Sequence, residues 1–514
     1  MLYIKRSFTF GIGKIDIVVI LYLLYSTLQI IVSAGKNTEP ETYIKLLLIA
    51  ELYMIGRNIP KELICSLIVV LSASAIIALL CKWFLNTGQS GAFIAIGFTG
   101  LIAVVFNKDY KKGIIMYGVL LTLLSAGIII TFSRAAILAI LSAVLYLFSQ
   151  SDYFKRVKPI TKVFTVVSIA TLAVVATYFL YTVRPESANV RLLLWRVCGE
   201  NILKQPFFGY SIGSLQSLYM YWQAEYFKLH PNSFFVPFAT NHFQSFNEIL
   251  HILCEQGFIG FLFIAYIVGR VLVRKASKEY YPIKSSLIAL LIVSCFLYTS
   301  DILPISMLFP LFVGILSSAE QPISFLNNKT NYHNEISSSV IVKCLLSAVC
   351  IIAIIFSVKI YYRYDNVSKN LTEYIREDNK RSITNNDESL ILRNREMSLA
   401  YASYSYKEAD TNKQIEILKK VSKKIPTSDI FLKLGELQLQ DNCLEEAKRC
   451  YLLSYHMVPD RILPKYHLFN YYKETNNTDK AKEWAQIILE SNPRIYNAVT
   501  LEIKHYAKEY LKGL

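Results

Sequence analysis

The chain has 514 residues, 54% of them hydrophobic and only 18% charged, with a mean hydropathy of +0.36, a balance that excludes an ordinary soluble enzyme and describes a membrane protein. The net charge of +16 does not mark a nucleic-acid binder, because the basic residues punctuate apolar runs instead of gathering on a soluble domain. Nine cysteines, most of them inside those runs and without ligand-type spacing, give neither a disulfide framework nor a metal site.

A bilayer core needs roughly 20 apolar residues per helix. About eleven stretches qualify, near 16–33, 43–56, 63–81, 91–106, 113–131, 134–149, 162–182, 248–269, 285–300, 303–318 and 339–359. The first lacks a small-residue cleavage site after its apolar run, so it reads as a retained span and not as a signal peptide. The second is short and holds Glu51, and charge parity supports it. With the N-terminus inside, nineteen Lys and Arg fall in inner segments against four in short outer ones, a positive-inside bias that removing this span would scramble. The predicted fold is all-α: a polytopic transmembrane bundle over 1–359, a large outer loop at 183–247, and an outward, helical-repeat domain over 360–514.

The outer loop is too long for a connector. Residues 183–245 contain thirteen aromatics, five Lys or Arg (Arg184, Arg191, Arg196, Lys204, Lys228), three glutamates and no aspartate. Guanidinium forks match phosphate oxygens and aromatic rings cover sugar faces, so this inventory suits an anionic glycan ligand. It equally suits an amphipathic loop lying on lipid headgroups. Hard cations need clustered carboxylates, and the loop has none.

Beyond the loop, "TNHFQSFNEILHILCEQGFIGFLF" (Thr240 to Phe263) leads polar groups into an apolar helix. Asn247, His251 and Glu255 fall on one helical face with Glu248 beside them. His251 and Glu255 fit a buried hydrogen bond that locks the span; ionisable groups in a span also fit a cavity. Gly257 and Gly260 fit close helix packing. Asp301 fits the same cavity or a solvated turn.

In the C-terminal domain Pro426, Pro459 and Pro493 stand 33 and 34 residues apart. Leu434, Gly435, Ala447, Tyr451 and Pro459 match the tetratricopeptide pattern, Leu468, Tyr472, Ala481, Ala485 and Pro493 echo it, and a weaker unit spans Ala400 to Pro426. Such repeats stack into a concave surface that binds a partner protein.

At "NVRLLLWRVCGENILKQPFFGYSIGSL", with "TFSRAAILAIL" upstream and "FNEILHILCEQGFIGFL" downstream, the chain resembles the O-antigen ligase family over roughly residues 90–270. The resemblance implies a glycosyltransferase without metal or other cofactor. Its donor would be an undecaprenyl-diphosphate-linked glycan and its acceptor a hydroxyl on a lipid, another glycan or a protein. The site would face the periplasm, at the outer side of the bacterial inner membrane. Arg191 is the first choice to stabilise the leaving diphosphate, followed by Arg134 and Arg184 and then Arg196, with Trp195 and Asn247 on the substrate. The family histidine precedes the signature asparagine, but that position is Phe246. The general base therefore falls first to His242, one turn upstream if the helix starts early, then to Glu248, with His251 as a further candidate. Polymerisation of lipid-linked glycans and O-glycosylation of protein are the related alternatives. A non-enzymatic component of glycan export, recruiting partners through the repeats, is the alternative of another class.

Overall fold

The computed structural model describes residues 13–32, 40–81, 86–107, 113–151, 185–275, 277–320, 362–375, 383–405 and 410–513, with scattered positions between 154 and 182 and at 359. Helices make up the regular structure, and no strand occurs among the described residues. The membrane part runs α1 (Lys14–Val32), α2 (Pro40–Arg57), α3 (Ile64–Leu80), α4 (Thr87–Phe106), α5 (Ile114–Thr131) and α6 (Arg134–Gln150). It continues after the outer loop with α9 (Glu248–Val273), α10 (Tyr281–Ser294) and α11 (Leu308–Ser317). Among the described residues, five stretches, Lys14–Val32, Lys61–Leu80, Thr87–Phe106, Ile114–Thr131 and Glu248–Val273, are long and apolar enough to cross a membrane. The spans expected at 162–182 and 339–359 lie outside the described residues.

Two expected spans are shorter than the hydropathy suggested. The one placed at 285–300 stops at Ser294, and the one at 303–318 breaks at Met307 into a turn, Leu303–Ser306, and α11. Pro310 explains the break: it lacks an amide proton and crowds the carbonyl four residues back, so it is tolerated only in a first helical turn.

Lipid gives little hydrophobic drive for helix association, so close approach and buried hydrogen bonds hold the bundle. α2 and α11 cross at Gly56 and Gly314, where an added Cβ would stand 2.3 Å from the carbonyl oxygens of Leu311 and Tyr53 respectively. α4 meets α10 through Ser285 and Ser286, whose hydroxyls donate to the carbonyls of Thr99 (3.1 Å) and Ile96 (2.8 Å).

The two ends of the bundle differ. At one, Arg57 pairs with Asp16 (2.7 Å), the Tyr53 hydroxyl donates to Asp16 (2.5 Å), and Arg270 pairs with Glu320 (3.1 Å). This is the end that the charge bias assigns to the cytoplasm. At the other, Gln29 donates to the Phe208 carbonyl (2.7 Å) and Gln89 to the Tyr298 hydroxyl (3.0 Å).

The outer loop is itself largely helical, with α7 (Pro185–Ile202) and α8 (Leu215–Leu229). The C-terminal region adds α12 (Asn385–Ile391), α13 (Arg395–Ser405), α14 (Thr411–Ser422), α15 (Ser428–Gln440), α16 (Leu444–Met457), α17 (Ile462–Glu474), α18 (Thr478–Glu490) and α19 (Ala498–Lys512). α15 and α16 pack tightly because residue 435 is glycine: a Cβ there would lie 2.5 Å from the Tyr451 ring. Leu193, Tyr219 and Phe227 of the outer helices share one apolar core with Leu418, Ile425 and Phe431 of the C-terminal region. Gln223 donates to the Met457 carbonyl (2.6 Å), and Asn241 bonds both Asp429 (2.9 Å) and the Ser428 amide (3.1 Å).

Candidate active site

Asn247 starts α9. Its side-chain oxygen accepts from the amides of Ile249 (2.9 Å) and Leu250 (3.2 Å), the N-cap bonds that satisfy otherwise orphaned donors. That oxygen is therefore spent on the helix and not offered to a substrate. The cap also fixes the helix start at Glu248, which corrects the expectation that an early start would put His242 on the same face: His242 lies in the irregular lead-in.

Nine residues on, Gly257 adopts φ +64° and breaks the helix. Three carbonyls near the break are satisfied by other parts of the chain. Cys254 accepts from the Tyr210 amide (2.8 Å), Glu255 from the Ser211 amide (2.9 Å) and Gln256 from the Tyr25 hydroxyl (2.7 Å). The amides of Phe258 and Ile259 in turn donate to Pro206 (2.8 Å) and Phe207 (3.2 Å). A Cβ on Gly257 would sit 2.3 Å from the Phe207 carbonyl oxygen. The expected role in helix packing is thus corrected: Gly257 admits the 206–211 turn into the helix, and the space a Cβ at Gly260 would need is filled by Gln256 of the same kink, 2.4 Å away.

Within this frame His251 Nε2 lies 3.2 Å from Glu255, whose other oxygen accepts from the Leu215 amide at 3.2 Å. The pair ties α9 to the start of α8. Glu248 accepts from the Thr299 hydroxyl and the Ser300 amide, both at 3.2 Å. Asp301 accepts from Gln244 at 3.0 Å.

A second cluster surrounds Phe246. This bulky residue holds φ +51°, a left-handed conformation that costs energy for any residue but glycine and tends to mark functional positions. The Arg191 guanidinium lies 5.5 Å from its ring centre. His242 and Tyr298 approach edge-on, with ring centres at 5.9 and 5.0 Å. Arg191 is mostly buried and its Nε has no hydrogen-bond partner. Burial first, then the like charge of Arg134, lower its pKa to about 10, so it remains a cation at neutral pH. Arg134, at the start of α6, donates to Ser187 at 3.3 Å. His242 Nε2 is 2.6 Å from the Thr240 hydroxyl. Burial, with a smaller contribution from Arg395, holds its pKa down to about 4, so it is neutral at pH 7.

The remaining expected site residues divide. Trp195 donates from its indole to the Ser245 carbonyl (3.2 Å), bracing the lead-in to α9. Arg196 points to solvent and pairs with Glu200 (2.6 Å). Arg184 lies outside the described residues.

A cavity of about 1640 Å³ opens beside these groups. Its apolar side runs along α2, α9 and α11 past Ile49, Leu52, Ala265, Val268 and Val313; its polar end collects Gln89, Glu248, His251, Glu255 and Asp301. Among the expected site residues that the structure describes, Glu248 and the further base candidate His251 line it. His242, Arg191 and Arg134 do not; Phe246 stands between Arg191 and the cavity-lining Tyr298. No group of three or more His, Cys, Asp or Glu side chains converges as a metal site among the described residues.

Residues 118–265, from α5 into α9, match the family model described as O-antigen ligase. This stretch is an O-antigen ligase domain. No curated protein matches the chain. The ligase domain contains Arg134, Arg191, Phe246, Glu248 and the α9 kink, and marks the chain as a membrane enzyme of ligase or glycosyltransferase type. It ends before the C-terminal segment that closes the cavity from above, with Arg393, Arg395, Lys420 and Lys424 in its lining. Sequence reasoning missed these four, since nothing local links them to a helix more than a hundred residues earlier. The part played by Phe246 was also missed; its only signal was an aromatic at the histidine position.

Proposed function

We propose that the chain transfers a glycan from undecaprenyl diphosphate to an acceptor hydroxyl at the periplasmic face of the inner membrane, without a metal. The observation that carries this reading is the two-natured cavity. One wall is apolar along helices that lipid would surround, and its far end is polar at the mouth of the outer loop, as a polyprenyl chain bearing a polar head requires.

In the proposed reaction the acceptor oxygen attacks the anomeric carbon, the bond from that carbon to the diphosphate oxygen breaks, and the diphosphate leaves with the electron pair. Its developing charge needs preorganised cations. Arg191 supports that role: it is buried with an unpartnered Nε and stands beside a second arginine. It lies one ring away from the cavity, since the Phe246 ring packs against both its guanidinium and the cavity-lining Tyr298. The hydroxyl proton goes to Glu248, which lines the cavity and is held by Thr299 and Ser300. His242 is the weaker choice because a base titrating near 4 is poorly matched to neutral pH. The acceptor is a lipid, a second lipid-linked glycan or a protein side chain.

Deleting the gene and analysing lipid-linked glycans, surface glycans and glycoproteins together tests the reading. Lipid-linked glycan should accumulate while one acceptor class is lost. Complementation with Glu248→Gln or Arg191→Ala should fail and with His242→Gln should succeed. Unchanged glycans on deletion would favour a non-enzymatic role. Full rescue by both Glu248→Gln and Arg191→Ala would overturn the mechanism.

A further inference from the structure

Two phenylalanines of the outer loop stand uncovered. Phe207 is 66% and Phe208 64% exposed, neither lines the cavity, and both belong to the turn that docks onto the break in α9. The helices that hold this turn give its height. Asp16 and Arg270 lie in the ion pairs at the far end of the bundle. α1 rises about 20 Å from Asp16 to Gln29, and Gln29 donates to the Phe208 carbonyl at 2.7 Å. α9 rises about 18 Å from Arg270 back to Phe258, whose amide donates to the Pro206 carbonyl at 2.8 Å. A hydrocarbon core is ~30 Å thick, so two separate helices place the turn below its outer boundary. Irregular backbone survives at that depth only where protein satisfies its polar groups. Here three successive carbonyls are satisfied, since that of Phe207 accepts from the Ile259 amide at 3.2 Å. The backbone is closed off while the two side chains are left open.

We infer that residues 206–209 form a re-entrant turn in the outer-facing leaflet, and that Phe207 and Phe208 are a lipid-contact surface seated among acyl chains. What surrounds them is bilayer lipid, because they continue the apolar face that α9 presents at Phe258 and Leu262, 43% and 62% exposed. The exposed pair of Lys204 with Glu225 (3.1 Å) marks where the chain leaves the hydrocarbon. The turn moors the outer loop. Its next residues, Tyr210 and Ser211, bond the carbonyls of Cys254 and Glu255, and Glu255 lines the polar end of the cavity. The depth of that polar end is thereby fixed against the lipid, whichever molecule the cavity takes.

The test places 4-trifluoromethylphenylalanine at position 207 or 208, one at a time, in the full chain in phosphatidylcholine nanodiscs, and reads it by fluorine NMR. The label is close to phenylalanine in shape, so the fold is kept. Dissolved oxygen, which concentrates in hydrocarbon, and a water-soluble gadolinium chelate serve as the two relaxing agents. The same label in place of Leu24, 61% exposed on α1, is the lipid reference. In place of Arg449, on a solvated face of α16 with Glu446, it is the water reference. Oxygen should relax the labels at 207 and 208 as strongly as the one at 24, and the chelate should relax them several-fold less than the one at 449. Relaxation of either label by the chelate to the level seen at 449 would put that side chain in water and overturn the inference. Protection of either label from both agents would mean that protein covers it, and would overturn it as well.

Discussion

Between pH 6.5 and 4 His242 is expected to cost the fold stability. Its pKa falls from 6.5 to about 4 on folding, chiefly through burial. Above 6.5 both states hold it neutral and it contributes no pH dependence. Below 6.5 the unfolded chain takes up a proton that the folded chain refuses, so stability drops until the folded pKa is reached. The whole window is worth about 3 kcal/mol at most. Thermal unfolding in detergent at pH 7 and at pH 4.5 should therefore show a larger drop for the wild type than for His242→Gln. A drop of equal size in the two would mean that His242 titrates normally and would return it to contention as the base. The neighbours that bury this histidine are Thr240, whose hydroxyl lies 2.6 Å from its Nε2, and Phe246, against whose ring it packs edge-on.

At the scale of one element, α9 is broken at Gly257 and the 206–211 turn is bonded into the break. Gly257→Ala places a Cβ 2.3 Å from the Phe207 carbonyl oxygen and forces an alanine to hold φ +64°. The expected loss is about 2 kcal/mol or more, seen as a lower melting temperature and greater protease sensitivity at 206–213. Gly269→Ala, in the same helix with nothing within 4 Å of the new Cβ, is the control and should be neutral or slightly stabilising. Equal effects of the two would show that the kink is not held by the inserted turn. Periodicity and length made the helices legible, since apolar runs and charge bias depend only on local composition. The 206–211 turn, which docks onto the break in α9 about fifty residues later, was not: hydropathy is blind to a helix whose carbonyls are satisfied by distant amides. Asn247, Glu248, His251 and Glu255 were recognisable as one polar face. Which of them caps, which braces and which opens to the cavity depended on Thr299, Ser300 and Leu215, partners that the local pattern does not name.

For the whole molecule, the question is whether the C-terminal helices recruit another protein or build the enzyme. Their packing favours the second. α8 lies against α16, Gln223 reaches the Met457 carbonyl, and Tyr219 and Phe227, almost wholly buried, lose part of their apolar cover if the region is removed. Part of the surface of the C-terminal helices is covered by the chain's own outer loop. Removing residues 383–514 should then do more than abolish an interaction. The truncated protein should aggregate or elute in the void volume on size exclusion in detergent, its outer loop should be cleaved at low protease concentration, and transfer should be lost even with purified donor and acceptor. The milder change Gln223→Leu deletes the bonds to the Met457 and Thr240 carbonyls and the one accepted from the Tyr219 hydroxyl without removing the apolar cover, and should loosen the outer loop to protease while the protein stays monodisperse. A detached recruiting domain makes the opposite forecast, a truncated chain that is monodisperse, protease-resistant at 183–247 and active in vitro. The buried core shared by the two regions is incompatible with that outcome, so truncation decides between a C-terminal region that recruits a partner and one that acts as a structural wall of the candidate site.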